Sequence, residues 1–178
     1  MTHLKADLLR ALRDACAMER HAEWLLRSHV AATTLFPEVN ERIDGDLTAT
    51  LANQKALAGC MERIEGTDGS DAVLPTLPED VAGAIETGSI AQTAGELAGN
   101  MAILMAFKRY EIASYTALIA AAEASGFFET KFTCEGILSH QVAMADWLFD
   151  CVPSSGDPST ECVRPSASAS LPPSPSVH

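Results

Sequence analysis

Apolar residues recur along this chain at helical spacing, and each stripe they draw is interrupted near its middle by a polar residue. Between Thr2 and Thr33, Leu8, Leu12, Ala15, Glu19, Ala22 and Leu26 step by four, three, four, three and four, which is one face of an α-helix with Glu19 at its centre. Thr33-Thr34-Leu35-Phe36-Pro37 predicts a turn, with Thr34 as a cap and Pro37 in the first turn of a second helix. That helix is predicted over Pro37 to Glu65, ends at Gly66, and carries the stripe Ile43, Leu47, Thr50, Gln54, Leu57, Met61 and Ile64. A third begins between Thr93 and Gly99, runs to Ala124 and closes at Ser125-Gly126; its stripe is Leu104, Phe107, Glu111, Tyr115, Leu118 and Ala122. A fourth is predicted from Phe128 to Phe149, with Ile137, His140, Met144 and Trp147 inward.

Between the second and third helices, Thr67 to Pro78 is turn-rich and reads as a loop. Glu79 to Gln92 reads as a shorter helix interrupted by Gly83 and Gly88. Together they are long enough to return the chain along a bundle. The predicted fold class is therefore all-α, an antiparallel four-helix bundle with a long crossover containing a short extra helix. Residues 1–150 form the bundle in this reading. Residues 151–178 form a Pro/Ser-rich tail: six of the nine prolines and eight serines fall between Val152 and His178, a composition too poor in large apolar groups to offset its ordering entropy, so it is expected to be disordered.

Composition narrows the function. The 178 residues are 47% hydrophobic and 20% charged, and alanine and leucine dominate, which favours helices over a sheet. A formal net charge of −12 repels phosphate backbones and anionic lipid, so neither nucleic acid nor a membrane is an expected partner. No apolar run approaches the ~20 residues of a membrane span. The charged, amphipathic N-terminal stretch lacks a secretory pattern. The five cysteines contain no CxxC, and three sit inside helical patterns, where cysteine acts as a small buried hydrophobe. Reduced thiols in a cytoplasm are expected.

Four polar residues at similar depth are the layout of a site built inside a bundle. Bundles that hold two metal ions use one carboxylate from each of two helices and an ExxH pair from each of the others. The candidates for metal ligation here are Glu19, Glu111 and His140. The second helix offers Thr50 at the corresponding level, with Asp46 and Asn53 one turn away on either side. No ExxH falls on a stripe, and Lys108, one turn from Glu111, brings a positive charge to the place a metal would occupy. Each candidate also has a plain structural reading. Glu19 can be a half-exposed residue paired with Arg13 or Arg20, Glu111 an ion-pair partner of Lys108, and His140 a satisfied core histidine. Tyr110 and Tyr115 read as packing residues, and His21 and His29 as surface residues.

The segment Tyr110-Glu111-Ile112-Ala113-Ser114-Tyr115, followed by Thr116-Ala117-Leu118-Ile119, resembles the YciF-type bacterial stress proteins of the ferritin-like superfamily. Members carry Val-Glu-His-Tyr-Glu-Ile-Ala-(Ala/Ser)-Tyr-Gly-Thr-Leu at that place. Asp14-Ala15-Cys16-Ala17-Met18-Glu19-Arg20 is similar to the family's Asp-x-Tyr-x-Ala-Glu-Lys, and Asp46-Leu47-Thr48-Ala49-Thr50 with Gln54 is loosely similar to His-Leu-Glu-Glu-Thr-x-x-Gln. Ser139-His140-Gln141 falls where the family has an acidic run.

The resemblance implies a ferritin-like fold, a homodimer, a stress-associated role and a carboxylate-rich centre able to take iron or manganese. Glu19 and Glu111 match that centre. Lys108, Thr48 and Ala49 stand in place of glutamates. The reading is thus a cytoplasmic ferritin-like protein with a vestigial di-metal site, no resident cofactor and no catalysis of its own, in which Lys108 neutralises Glu19 or Glu111 electrostatically. The alternatives are an iron- or manganese-dependent oxidase or peroxide-handling enzyme using Glu19, Glu111 and His140, and a protein-interaction scaffold whose partner the sequence does not name.

Overall fold

The structure, a computed structural model, describes residues 2–66, 91 and 93–151. Four helices make up nearly all of it: α1 (Thr2–Ala32), α2 (Pro37–Glu65), α3 (Ala94–Ala124) and α4 (Phe128–Cys151). The predicted crossover helix falls outside the described residues except at Ala91, which is not helical, and the Pro/Ser tail falls outside them entirely.

The ends of these helices follow from local chemistry. Pro37 opens α2 as expected, but the N-cap is Phe36 and makes no side-chain capping bond; Thr34 is exposed and caps nothing. The α1–α2 turn is held instead by Asn40, whose amide donates to the Val30 carbonyl at 2.6 Å and to Thr33 Oγ1 at 3.1 Å. Thr93 caps α3 through a reciprocal pair with Glu96, so two otherwise orphaned backbone N–H groups are satisfied. Gly66 and Gly126 follow α2 and α3 with φ of 78° and 76°, a left-handed conformation that L side chains resist. α4 continues two residues beyond Phe149, because Cys151 is still buried in register with the core.

Two contacts fix the direction of α3. His29 near the end of α1 meets the Asn100 carbonyl near the start of α3, and Ser125 at the end of α3 meets the Leu4 carbonyl near the start of α1. α1 and α3 are therefore antiparallel. Short turns make α1 antiparallel to α2 and α3 to α4. The order is up, down, down, up, so Gly66 and Ala91 lie at opposite ends of the bundle. Ala91 is tied to the end of α1 through its N–H on the Ala32 carbonyl. The most extensive packing is within the pairs α1–α2 and α3–α4, and the sparsest of the four main interfaces is α2–α4.

Each end of the bundle is apolar. Leu8, Leu12, Leu57, Cys60, Leu118 and Cys134 fill one end, and Leu25, Leu26, Ile43, Leu104, Met144 and Leu148 the other. Between them lies a band of buried polar side chains. Cys16, Cys60 and Cys134 are free and buried, and burial pushes the Cys16 and Cys134 thiols up to about 11 and about 12. His29, expected at the surface, is 4% exposed; its two ring nitrogens face the Leu25 and Asn100 carbonyls, and burial lowers its pKa. A neutral imidazole has one N–H, so it satisfies only one of these two acceptors at a time.

Candidate functional site

The polar band is assembled from all four helices. α1 contributes Glu19, α2 Asp46, Thr50 and Asn53, α3 Lys108, Glu111 and Tyr115, and α4 Gln141. Glu19, Thr50, Glu111, Tyr115 and Gln141 have no exposed surface, and Lys108 has 1%. Helical spacing produces this: Lys108, Glu111 and Tyr115 stand three and four residues apart on the inward face of α3.

Lys108 is the hub. Its Nζ lies 2.8 Å from Asp46 Oδ2 and 2.9 Å from Glu111 Oε2, and donates to Gln141 Oε1 at 2.6 Å. The contact to Gln141 is a hydrogen bond; those to Asp46 and Glu111 are ion pairs, and neither Asp46 Oδ2 nor Glu111 Oε2 has a hydrogen-bond partner among the described residues. Gln141 turns its amide back to Glu111 Oε1 at 3.4 Å. Burial opposes the charged form of Lys108, but Glu111 and Asp46 together hold its pKa above the ordinary value.

The three carboxyl groups divide by environment. Burial works against ionisation of Asp46, yet His140 and Lys108 outweigh it and keep that carboxyl below its ordinary range. Glu111 is pushed up to about 8 by burial, which Lys108 only partly offsets. Asp46 is therefore the carboxyl held ionised most firmly beside Lys108, while at Glu111 burial and the same ammonium pull in opposite directions and burial is the larger. Glu19 is raised by burial, moderated by the Tyr115 hydroxyl, Lys108 and Asn53. Tyr115 donates to Glu19 Oε1 at 2.5 Å, and Asn53 Nδ2 reaches both Glu19 oxygens at 3.4 Å. Burial and the adjacent Glu19 push the Tyr115 phenol well above its ordinary range, so it stays a donor. Thr50 Oγ1 has no hydrogen-bond partner among the described residues.

Glu19 and Glu111 thus lie in one buried band, and Lys108 sits with Glu111. Glu19 is not paired with Arg13, which instead binds Glu65 across α1 and α2. Nor does Lys108 hold Glu19 directly; Tyr115 and Asn53 do. His140 is displaced from the core. Its side chain is 42% exposed and its Nε2 meets Asp46 Oδ1 at 3.0 Å from the α2–α4 side. There a cavity of about 550 Å³, lined among others by Glu38, Arg42, Asp46, His140 and Trp147, reaches the outer edge of the polar band.

The α4 stripe turns one residue from the expected one. Cys134, Ile137, Gln141, Met144, Leu148 and Cys151 are buried, and His140 and Trp147 flank them. Gln141 is the inward residue that periodicity missed. Ile137 admits either a step of three to His140 or of four to Gln141, and both routes run from Cys134 to Cys151 in helical steps, so spacing alone does not choose between them. Asp46 was seen only as a neighbour of Thr50, although it is the principal partner of Lys108.

These side chains do not fit a pair of divalent ions. Asp46 and Glu111 are committed to an ammonium whose charge would repel a metal at the centre. Glu19 is committed to Tyr115 and Asn53, and His140 faces the outer groove. Among the described residues no three His, Cys, Asp or Glu side chains converge as a ligand set.

The family model described as "Domain of unknown function (DUF892)" matches residues 3–159. Among solved structures, a protein from Xanthomonas campestris pv. campestris is similar, with 29% identity and a TM-score of 0.66 over 83% of this chain and 90% of that one. The E. coli stress protein YciF is similar in fold, with 19% identity and a TM-score of 0.68 over 85% of this chain and 96% of that one.

Proposed function

This chain belongs to the DUF892 family, and from that premise we propose that it is a ferritin-like, stress-associated protein whose di-metal centre has been replaced by a buried lysine. In this reading it has no catalytic activity and no resident cofactor, and it acts as a cytoplasmic homodimer. One observation carries the reading: the Lys108 ammonium bridges Asp46, Glu111 and Gln141 at 2.6–2.9 Å in the middle of the bundle. A cation that is part of the chain does there what a divalent ion does in a metal-holding bundle, linking helices that would otherwise carry unpaired buried oxygens. The stress association follows the similarity to YciF, a stress protein of E. coli.

The buried band still has three carboxyl groups for one ammonium, and this favours a second reading: an iron- or manganese-dependent oxidase or peroxide-handling enzyme using Glu19, Glu111 and His140. The test is metal content per chain after expression in medium supplemented with iron and manganese. The first reading expects essentially none, and no peroxide consumption above buffer. About two ions per chain, the complement of a di-metal bundle, would overturn it in favour of the second.

A further inference from the structure

The cavity of about 550 Å³ between α2 and α4 is barely used by the buried band: only Asp46 and His140, at its inner end, belong to the Lys108 network. Its volume falls within the range of sites that enclose small molecules, and clefts between bundle helices are a common place for them. Gly45 helps to keep it open. This residue lies inside α2, where glycine weakens a helix, and a Cβ added to it would meet nothing within 4 Å. Close packing therefore does not require the glycine, and its missing side chain leaves room in the cavity that it lines.

The charges at the mouth are held apart where helical geometry would pair them. Glu38 and Arg42 stand at i and i+4 on α2, in the order that favours an ion pair. Glu23 and Arg27 have the same spacing on α1 and pair at 2.8 Å. Arg42 instead reaches across to α4, with its guanidinium over the Trp147 ring at 5.8 Å from the centroid. Among the described residues Glu38, Glu41 and Arg42 have no ion-pair or hydrogen-bond partner. A guanidinium lying on a ring keeps its in-plane N–H donors available to a carboxylate. The cavity thus presents uncommitted charges of both signs beside the apolar Met144 and Trp147.

We propose that this cavity binds a small zwitterion of the amino-acid class, with its carboxylate on Arg42, its ammonium on Glu38 and Glu41, and its apolar body against Met144 and Trp147. Charge selects the ligand. A simple anion is repelled by Glu38, Glu41 and the net charge of −12. A simple cation is repelled by Arg42 and leaves it unpaired. A molecule with both charges and no net charge meets neither obstacle and complements all three side chains. His140, whose Nε2 meets Asp46 Oδ1 at 3.0 Å, forms the inner wall, so the bound molecule lies against the network that holds Lys108.

Isothermal titration calorimetry of the full chain tests this with three probes of similar shape: L-phenylalanine, phenylpropionate, which lacks the ammonium, and phenylethylamine, which lacks the carboxylate. L-Phenylalanine should bind once per chain, and each of the others at least about tenfold more weakly, because one charge-assisted contact is lost. Gly45→Leu should abolish binding by filling the cavity while helical circular dichroism is kept. Arg42→Gln should weaken L-phenylalanine by about tenfold and leave phenylethylamine no weaker. In Trp24→Phe, where Trp147 is the only tryptophan, emission should shift as the site fills. No saturable heat with L-phenylalanine up to about 10 mM overturns the proposal. So does binding of either single-charge probe as tightly as L-phenylalanine, which would mark a site for a simple ion. Undiminished binding in Gly45→Leu and Arg42→Gln places the ligand elsewhere and overturns it as well. Should Gly45→Leu fail to fold, Arg42→Gln, at an exposed position, decides alone.

Discussion

A lysine sealed between four helices is tolerated only if every one of its N–H donors finds an acceptor and its charge finds a counter-charge. Lys108 has its counter-charge in Asp46 and Glu111 at ion-pair distance and donates a hydrogen bond to Gln141. The arrangement leaves Glu111 as the group whose ionisation the fold resists. Its carboxyl is raised from 4.5 to about 8, mainly by burial. The stability gained by keeping it protonated is complete below the ordinary glutamate range and is lost as pH rises through about 8. Stability of the wild type should therefore fall between pH 5 and pH 9. Glu111→Gln, which keeps a neutral side chain of the same shape, should match the wild type near pH 5 and melt several degrees higher near pH 9. Thermal denaturation across that range checks it; identical pH profiles would show that Glu111 is ionised throughout. At this scale the sequence was only partly legible. Glu19 and Glu111 stood out because they interrupt apolar stripes. Asp46 did not, because it flanks its stripe, and its importance depends on Lys108 reaching it from another helix. The Tyr115–Glu19 hydrogen bond spans 96 residues and leaves no local trace.

At the level of the helices, periodicity located all four elements, and boundaries were readable where a residue has a distinct backbone role, at Pro37, Gly66 and Gly126, while the start of α3 was bracketed only between Thr93 and Gly99. The α2 cap was not, since threonines near a helix start suggest capping whether or not their oxygens reach an N–H. The α4 register was not either, because the spacings from Ile137 to His140 and to Gln141 are both helical and both run on to Cys151. The reciprocal Thr93–Glu96 bonds make a direct prediction. Thr93→Ala should cost about 1 kcal/mol of stability, as loss of an N-cap generally does, read as a lower urea midpoint with unchanged slope. An unchanged midpoint would mean that the start of α3 is held by other contacts, such as His29 on the Asn100 carbonyl.

For the molecule as a whole, the up-down-down-up order forces α2 and α3 to run parallel across the bundle diagonal. That order brings Asp46 and Lys108, 62 residues apart in sequence, to one depth. No described helix is long and apolar enough to cross a membrane. The polar band, rather than the apolar ends, distinguishes this bundle from one held by packing alone. Its central proposal is that an ammonium occupies a cation's place. Calorimetric titration of manganese into the wild type and into Lys108→Glu addresses this most directly. The wild type should give no saturable heat and the variant stoichiometric binding, because there a carboxylate replaces the repelling charge beside Asp46 and Glu111. Saturable binding in the wild type with the same stoichiometry as in Lys108→Glu would contradict it.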